Sequence, residues 1–95
     1  MTRKERLITR VLSGAADQHI RFDELRGMLR DLGFDERIRS SHHIFTQTGV
    51  NEILNLQPRD GGLAKAYQVR QVRNVLVKYK LRIYLTTARD VRPPD

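Results

Sequence analysis

Two adjacent histidines, His42 and His43, follow two hydroxyls, Ser40 and Ser41, and lead into the β-prone run Ile44-Phe45-Thr46. Imidazole is the side chain whose ordinary titration lies nearest neutral pH, so it can both take and give protons in water. In an extended strand, neighbouring side chains point to opposite faces. At most one histidine of the pair can therefore look into a core, and the other faces outwards. The chain has 3 His and no Cys. That excludes thiolate chemistry and a disulfide framework, and it argues against a structural zinc site. His19 falls in a connector and is assigned no role. The plainer alternative for the pair is two ordinary strand residues.

The elements that must position these histidines follow from periodicity. Residues 3 to 12 read as a short amphipathic helix, with Leu7, Ile8, Val11 and Leu12 as its apolar stripe and Ser13-Gly14 as its stop. Phe22 to Leu32 reads as a second helix, with Phe22, Leu25, Met28, Leu29 and Leu32 at helical spacing. Asp23 and Glu24 at its start and Arg30 near its end suit the helix dipole, and Gly33 closes it. Three short strands follow at Phe34 to Arg39, His42 to Thr46 and Glu52 to Gln57. Ser40-Ser41 and Gln47-Thr48-Gly49 are the turns between them. Pro58 ends the third strand because it cannot donate to a ladder. Arg59-Asp60-Gly61-Gly62 reads as a flexible loop. Ala66 to Tyr79 is the last helix, with Val69, Val72, Val75, Leu76 and Tyr79 as its buried stripe.

Strand parity then sorts the faces. If the core face carries Phe34, Ile38, Leu54 and Leu56, the second strand adds Phe45 to it, and His43 leans the same way. His42 points to the opposite face, together with Arg37, Arg39, Asn55 and Gln57. Ile44 and Ile53 also fall on this open face. The expectation is a polar, cationic sheet surface with one imidazole on it.

The charge balance names a partner class. Lys and Arg number 18 against 11 acids, a formal charge of +7 over 95 residues. A small basic domain commonly meets a polyanion, either nucleic acid or an acidic protein. Between Lys65 and Lys80 stand Lys65, Arg70, Arg73, Lys78 and Lys80 with no acid among them. Lys65, Arg70 and Arg73 are the candidate phosphate-holding residues here, with Arg37 and Arg39 on the sheet. A helix face whose charge only aids solubility is the simpler alternative. No apolar run approaches the length of a membrane span, and no signal-peptide pattern opens the chain. A cytoplasmic location, no membrane partner, no metal and no small-molecule cofactor are therefore expected. Ile83-Tyr84-Leu85 is expected to dock locally, and Arg89 to Asp95 to form a polar tail.

Four segments in order carry a family resemblance: Leu-Gly-Phe at 32 to 34, Ser-His-His-Ile-Phe at 41 to 45, Asn-Leu-Gln-Pro at 55 to 58, and Tyr-Gln-Val-Arg-Gln-Val-Arg at 67 to 73. Between about Phe22 and Leu81 the chain resembles the HicA toxins of bacterial toxin–antitoxin systems. The resemblance implies an α+β fold, a small double-stranded-RNA-binding-like domain. Its three-stranded antiparallel sheet has helices on one face in the order α-β-β-β-α, here preceded by an N-terminal helix. Residues 1–20 would be a helical extension, 21–81 the RNA-binding nuclease domain, and 82–95 a tail. The implied activity is mRNA cleavage, blocked by a HicB-type antitoxin, with the catalytic histidine falling on His42. Ser40 stands where the family usually has Gly, and Arg59-Asp60 stands where many members carry a further His.

RNA supplies its own nucleophile, the 2′-hydroxyl. A metal-independent endoribonuclease needs a base for that proton, charge stabilisation at phosphorus, and a proton for the leaving 5′ oxygen. His42 fits the first task and Arg37 or Arg39 the second. Two other readings share the sequence: an RNA-binding domain that does not cut, and a protein-interaction module with a basic docking surface.

Overall fold

Three α-helices and a three-stranded antiparallel sheet form from these periodicities in the computed structural model, which describes residues 2–81. The expectations for residues 82–95 concern positions outside that range. Helix α1 spans Arg3–Ser13. Thr2 caps it: the Glu5 N–H donates to the Thr2 hydroxyl at 3.2 Å, and the Thr2 N–H donates back to the Glu5 carboxylate at 2.8 Å. A 3-10 turn at Asp17–His19 leads to α2, Phe22–Asp31. Gly33 follows with a φ of +102°, and a β-carbon there would lie 2.7 Å from the Gln47 side-chain nitrogen. That nitrogen donates to the Leu32 carbonyl at 2.8 Å, which ties the end of α2 to the sheet. The positive φ favours glycine at this corner, and a β-carbon there would push the Gln47 amide off the Leu32 carbonyl.

Strands β1 (Asp35–Arg39), β2 (His42–Gln47) and β3 (Val50–Leu56) lie in sequence order. The third strand begins two residues before its expected start, because Val50 pairs directly with Gln47 across the Thr48-Gly49 turn. Ser40-Ser41 is a two-residue hairpin turn, since Arg39 faces His42 across it. Ser40 has a φ of +58°, left-handed and non-glycine. A positive φ confined to the first central residue is the sign pattern of a type II′ turn, which favours Gly there. Ser40 thus carries a backbone strain that glycine at this position would not.

The core lies between one face of the sheet and the helices. Phe34, Phe45, Leu54 and Leu56 from the sheet region meet Leu25, Met28 and Leu29 of α2 and Val69, Val72, Val75 and Leu76 of the last helix. Val11 of α1 is fully buried in the same cluster, so the N-terminal helix contributes to this core. Two apolar residues expected inside are not. Ile38 is 54% exposed because β1 is an edge strand and Ile38 sits at its hairpin end, one strand beyond the Phe22–His43 ring contact. Leu12 is 43% exposed, because Leu7, Ile8 and Val11 carry the contact of α1.

The loop expected at Arg59–Gly62 is instead a small ribbon. β4 (Pro58–Arg59) pairs with β5 (Leu63–Ala64) around a tight turn in which Gly61 and Gly62 both have positive φ. The ribbon is anchored outside itself. The Ala64 N–H donates to the Ile20 carbonyl at 2.8 Å, Arg21 bridges to Leu63, and the Arg59 guanidinium donates to the Gln18 carbonyl at 3.0 Å. It delivers the chain into α3, Ala66–Tyr79, which Lys80 ends in a left-handed conformation.

Candidate functional site

Register brings the site together on the sheet face turned away from the helices. His42 stands opposite Arg39, and Arg37 stands opposite Ile44. Ile44 in turn faces Asn55 on β3, so Asn55 is the diagonal neighbour of His42 on the same face. The His42 Nδ1–H donates to the Asn55 side-chain oxygen at 3.0 Å. That contact fixes the ring and selects the tautomer with its lone pair on Nε2. Among the described residues Nε2 has no hydrogen-bond partner, and the side chain is exposed. Such an imidazole is a ready proton acceptor. Along β1 and β2 beside it, Asp35, Glu36, Arg37, Arg39, Ile44 and Thr46 line a depression of about 510 Å³. Ile53, 66% exposed, shares this face, so the surface is mixed and not purely polar.

A polar chain links the rim of the site to α3. The Gln57 side-chain nitrogen donates to the Ser41 hydroxyl at 2.8 Å, and Lys65 donates to the Gln57 side-chain oxygen at 3.4 Å. Lys65 therefore stands beside the hairpin that carries His42. Gln68 supports the same edge from beneath. It is 5% exposed, its oxygen accepts from the Gln57 N–H at 3.0 Å, and its nitrogen donates to the Asn55 carbonyl at 3.2 Å. Arg70 is exposed on α3, and among the described residues neither it, Lys65, Arg37 nor Arg39 forms an ion pair.

Arg73 has a different placement from the rest of the expected phosphate-holding set. Its guanidinium donates to both carboxylate oxygens of Asp17, at 2.9 and 3.1 Å, and to the Val11 carbonyl at 2.9 Å. It is committed to holding α1 and the 3-10 turn against α3. Lys78 is likewise paired, with Glu52 at 2.7 Å, and Tyr79 donates to the same carboxylate. Those two hydrogen bonds hold the Glu52 carboxyl down at about 2. Two cations of the acid-free stretch between Lys65 and Lys80, Arg73 and Lys78, are thus met by acids from elsewhere in the chain.

His43 turns inward, as its parity requires. Its Nδ1 lies 2.7 Å from Glu36, and its ring meets Phe22 edge-on at 4.9 Å. Glu36, with a side chain 7% exposed, also receives Arg26 at 2.7 Å and Arg30 at 2.6 Å. Burial pushes this carboxyl up, but the hydrogen bonds from Arg26, His43 and Arg30 outweigh it and hold it down at about 2. This cluster is a structural joint between α2 and the sheet.

Strand parity puts Asn55 and Gln57 on the open face but gives neither a role. Their roles depend on register, which a bulge between Phe45 and Gln47 shifts. Gln68 stood in the sequence as one polar residue beside an apolar stripe, with no signal that its amide serves the sheet edge. Among the described residues no three His, Cys, Asp or Glu side chains gather in a metal-holding group, and no helix is long and apolar enough to cross a membrane. No family model matches this chain, and neither does any curated protein or solved structure.

Proposed function

We propose that this protein is a HicA-type endoribonuclease, a cytoplasmic toxin that cleaves mRNA and is held in check by a HicB-type antitoxin. In this reading the α+β domain is of the double-stranded-RNA-binding-like kind. The observation that carries the proposal is the His42–Asn55 pair on an open face lined by Arg37 and Arg39, with Nε2 left to meet a substrate. Nε2 removes the 2′-hydroxyl proton, and the 2′ oxygen attacks the adjacent phosphorus. The bond to the 5′ oxygen breaks, and that oxygen takes a proton from solvent. Arg39, with Arg37 beside it, stabilises the charge developing on phosphorus. Lys65 and Arg70 hold flanking phosphates. The products are a 2′,3′-cyclic phosphate and a 5′-hydroxyl end.

The test is cleavage of one end-labelled RNA in the presence of EDTA by the unaltered protein and by His42→Ala, with matched circular dichroism. The substitution lowers the rate by about two to four decades, the usual worth of a general base. A product ending in a 3′-hydroxyl, or equal cleavage by both proteins, overturns the mechanism. The unpaired cations also support a second reading, an RNA-binding domain without chemistry. Binding by both proteins with cleavage by neither would establish it.

A further inference from the structure

Tyr67 is half exposed, more open to solvent than any other Phe or Tyr among the described residues. One end of its side chain is tethered. The Gln68 side-chain nitrogen donates to the Tyr67 hydroxyl oxygen at 3.4 Å, and the same nitrogen donates to the Asn55 carbonyl. The Asn55 side chain holds His42. Three consecutive hydrogen-bonded contacts therefore run from the Tyr67 ring to the candidate base. Arg70 lies on the same helix face, three residues on, and Lys65 stands two residues back beside Gln57. A planar ring pinned at one end and flanked by unpaired cations suits a splayed base and the phosphates on either side of it.

We propose that Tyr67 is a stacking platform for an unpaired nucleobase beside the phosphodiester at His42, and that the substrate is therefore single-stranded RNA. The inference rests on the RNA-cleaving function proposed above. In an A-form duplex the bases are stacked within the helix, and the protein meets sugar and phosphate instead. A duplex thus offers this ring no base to stack on.

The experiment measures binding of a fluorescein-labelled single-stranded 2′-O-methyl RNA of mixed sequence, which cannot be cleaved, and of the same strand annealed to its complement. The proteins are the unaltered chain, Tyr67→Leu and Tyr67→Phe, each checked by circular dichroism. Leucine keeps the bulk of the site without an aromatic face, and phenylalanine keeps the face without the hydroxyl. The unaltered protein should prefer the single strand. Tyr67→Leu should weaken that binding roughly tenfold or more, the usual scale for losing one stacked base, while Tyr67→Phe keeps it. Equal or tighter binding of the duplex, or equal binding of the single strand by Tyr67→Leu, overturns the stacking role. If the unaltered protein still cuts unmodified RNA in EDTA, that failure leaves the nuclease reading intact. Failure to bind either probe at low salt, together with failure to cut, removes both.

Discussion

His42 owes its position to a hairpin turn that is itself under strain. Ser40 holds a left-handed backbone with a β-carbon in place, a conformation that costs an L-residue about 1–2 kcal/mol. Replacing it with Gly removes that cost and adds some unfolded-state entropy. Ser40→Gly should therefore stabilise the protein by up to about 1 kcal/mol and raise its melting temperature by roughly 4 °C. Thermal unfolding followed by circular dichroism checks this, and a lower melting temperature would contradict the type II′ turn. The outward direction of His42 was legible from sequence because parity is pure geometry. Its partner was not. The diagonal contact with Asn55 depends on the β2–β3 register, and the bulge between Phe45 and Gln47 alters that register in a way no residue count shows. The demand on Ser40 was not legible either: a serine in a turn is ordinary in sequence, and only its φ of +58° shows the strain.

Among the ion pairs that join one element to another, two give a measurable consequence. Glu36 joins β1 to Arg26 and Arg30 of α2 and to His43 of β2. Its carboxyl is held at about 2 against an ordinary value of 4.5. A carboxyl depressed in the folded state contributes stability above its unfolded value and loses it as protons fill the folded site. The contribution is on the order of 3 kcal/mol and should be complete above about pH 5 and gone near pH 2. Denaturant titrations across that range should show the loss, and Glu36→Gln should both destabilise at pH 7 and flatten the acid limb. The second joint is Arg73 with Asp17 and the Val11 carbonyl. Arg73→Met should cost about 1–3 kcal/mol of stability, since it leaves a partly buried carboxylate unpaired. Arg70→Gln should leave stability within about 0.5 kcal/mol yet weaken RNA binding. Paired measurements of unfolding and RNA affinity separate the two arginines, and the reverse pattern would put the phosphate contact at Arg73. In sequence both are basic residues of one helix, Arg70 opposite its apolar stripe and Arg73 on the flank. The partners that take up Arg73, Asp17 and the Val11 carbonyl, lie too far away in the chain to be read from that spacing.

Over the whole molecule, the net charge divides into cations consumed by the fold and cations left over. Among the described residues, Arg37, Arg39, Lys65 and Arg70 form no ion pairs and stand on or beside the open face. If these four meet phosphates, the logarithm of affinity for single-stranded RNA should fall with the logarithm of salt concentration with a slope of about −3. A slope near zero in a fluorescence titration would place the basic charge away from the backbone. The three helices and three strands were legible because their stripes are long and regular, and the last helix has the bounds its periodicity predicts. The β4–β5 ribbon was not, since strands of two residues carry no period to read. Gln68 bears on one more property of the molecule. A three-stranded open sheet has two edges, and each is a template on which another chain can add a strand. The β1 edge carries Asp35, Arg37 and Arg39, whose charges deter pairing. The β3 edge is far less charged, but Gln68 takes up the Asn55 carbonyl and the Gln57 N–H, and the Tyr79 hydroxyl takes up the Asn51 N–H. Two side chains of α3 thus stand where a further strand would dock, and the last helix works as a guard against sheet growth and fibrillar self-association.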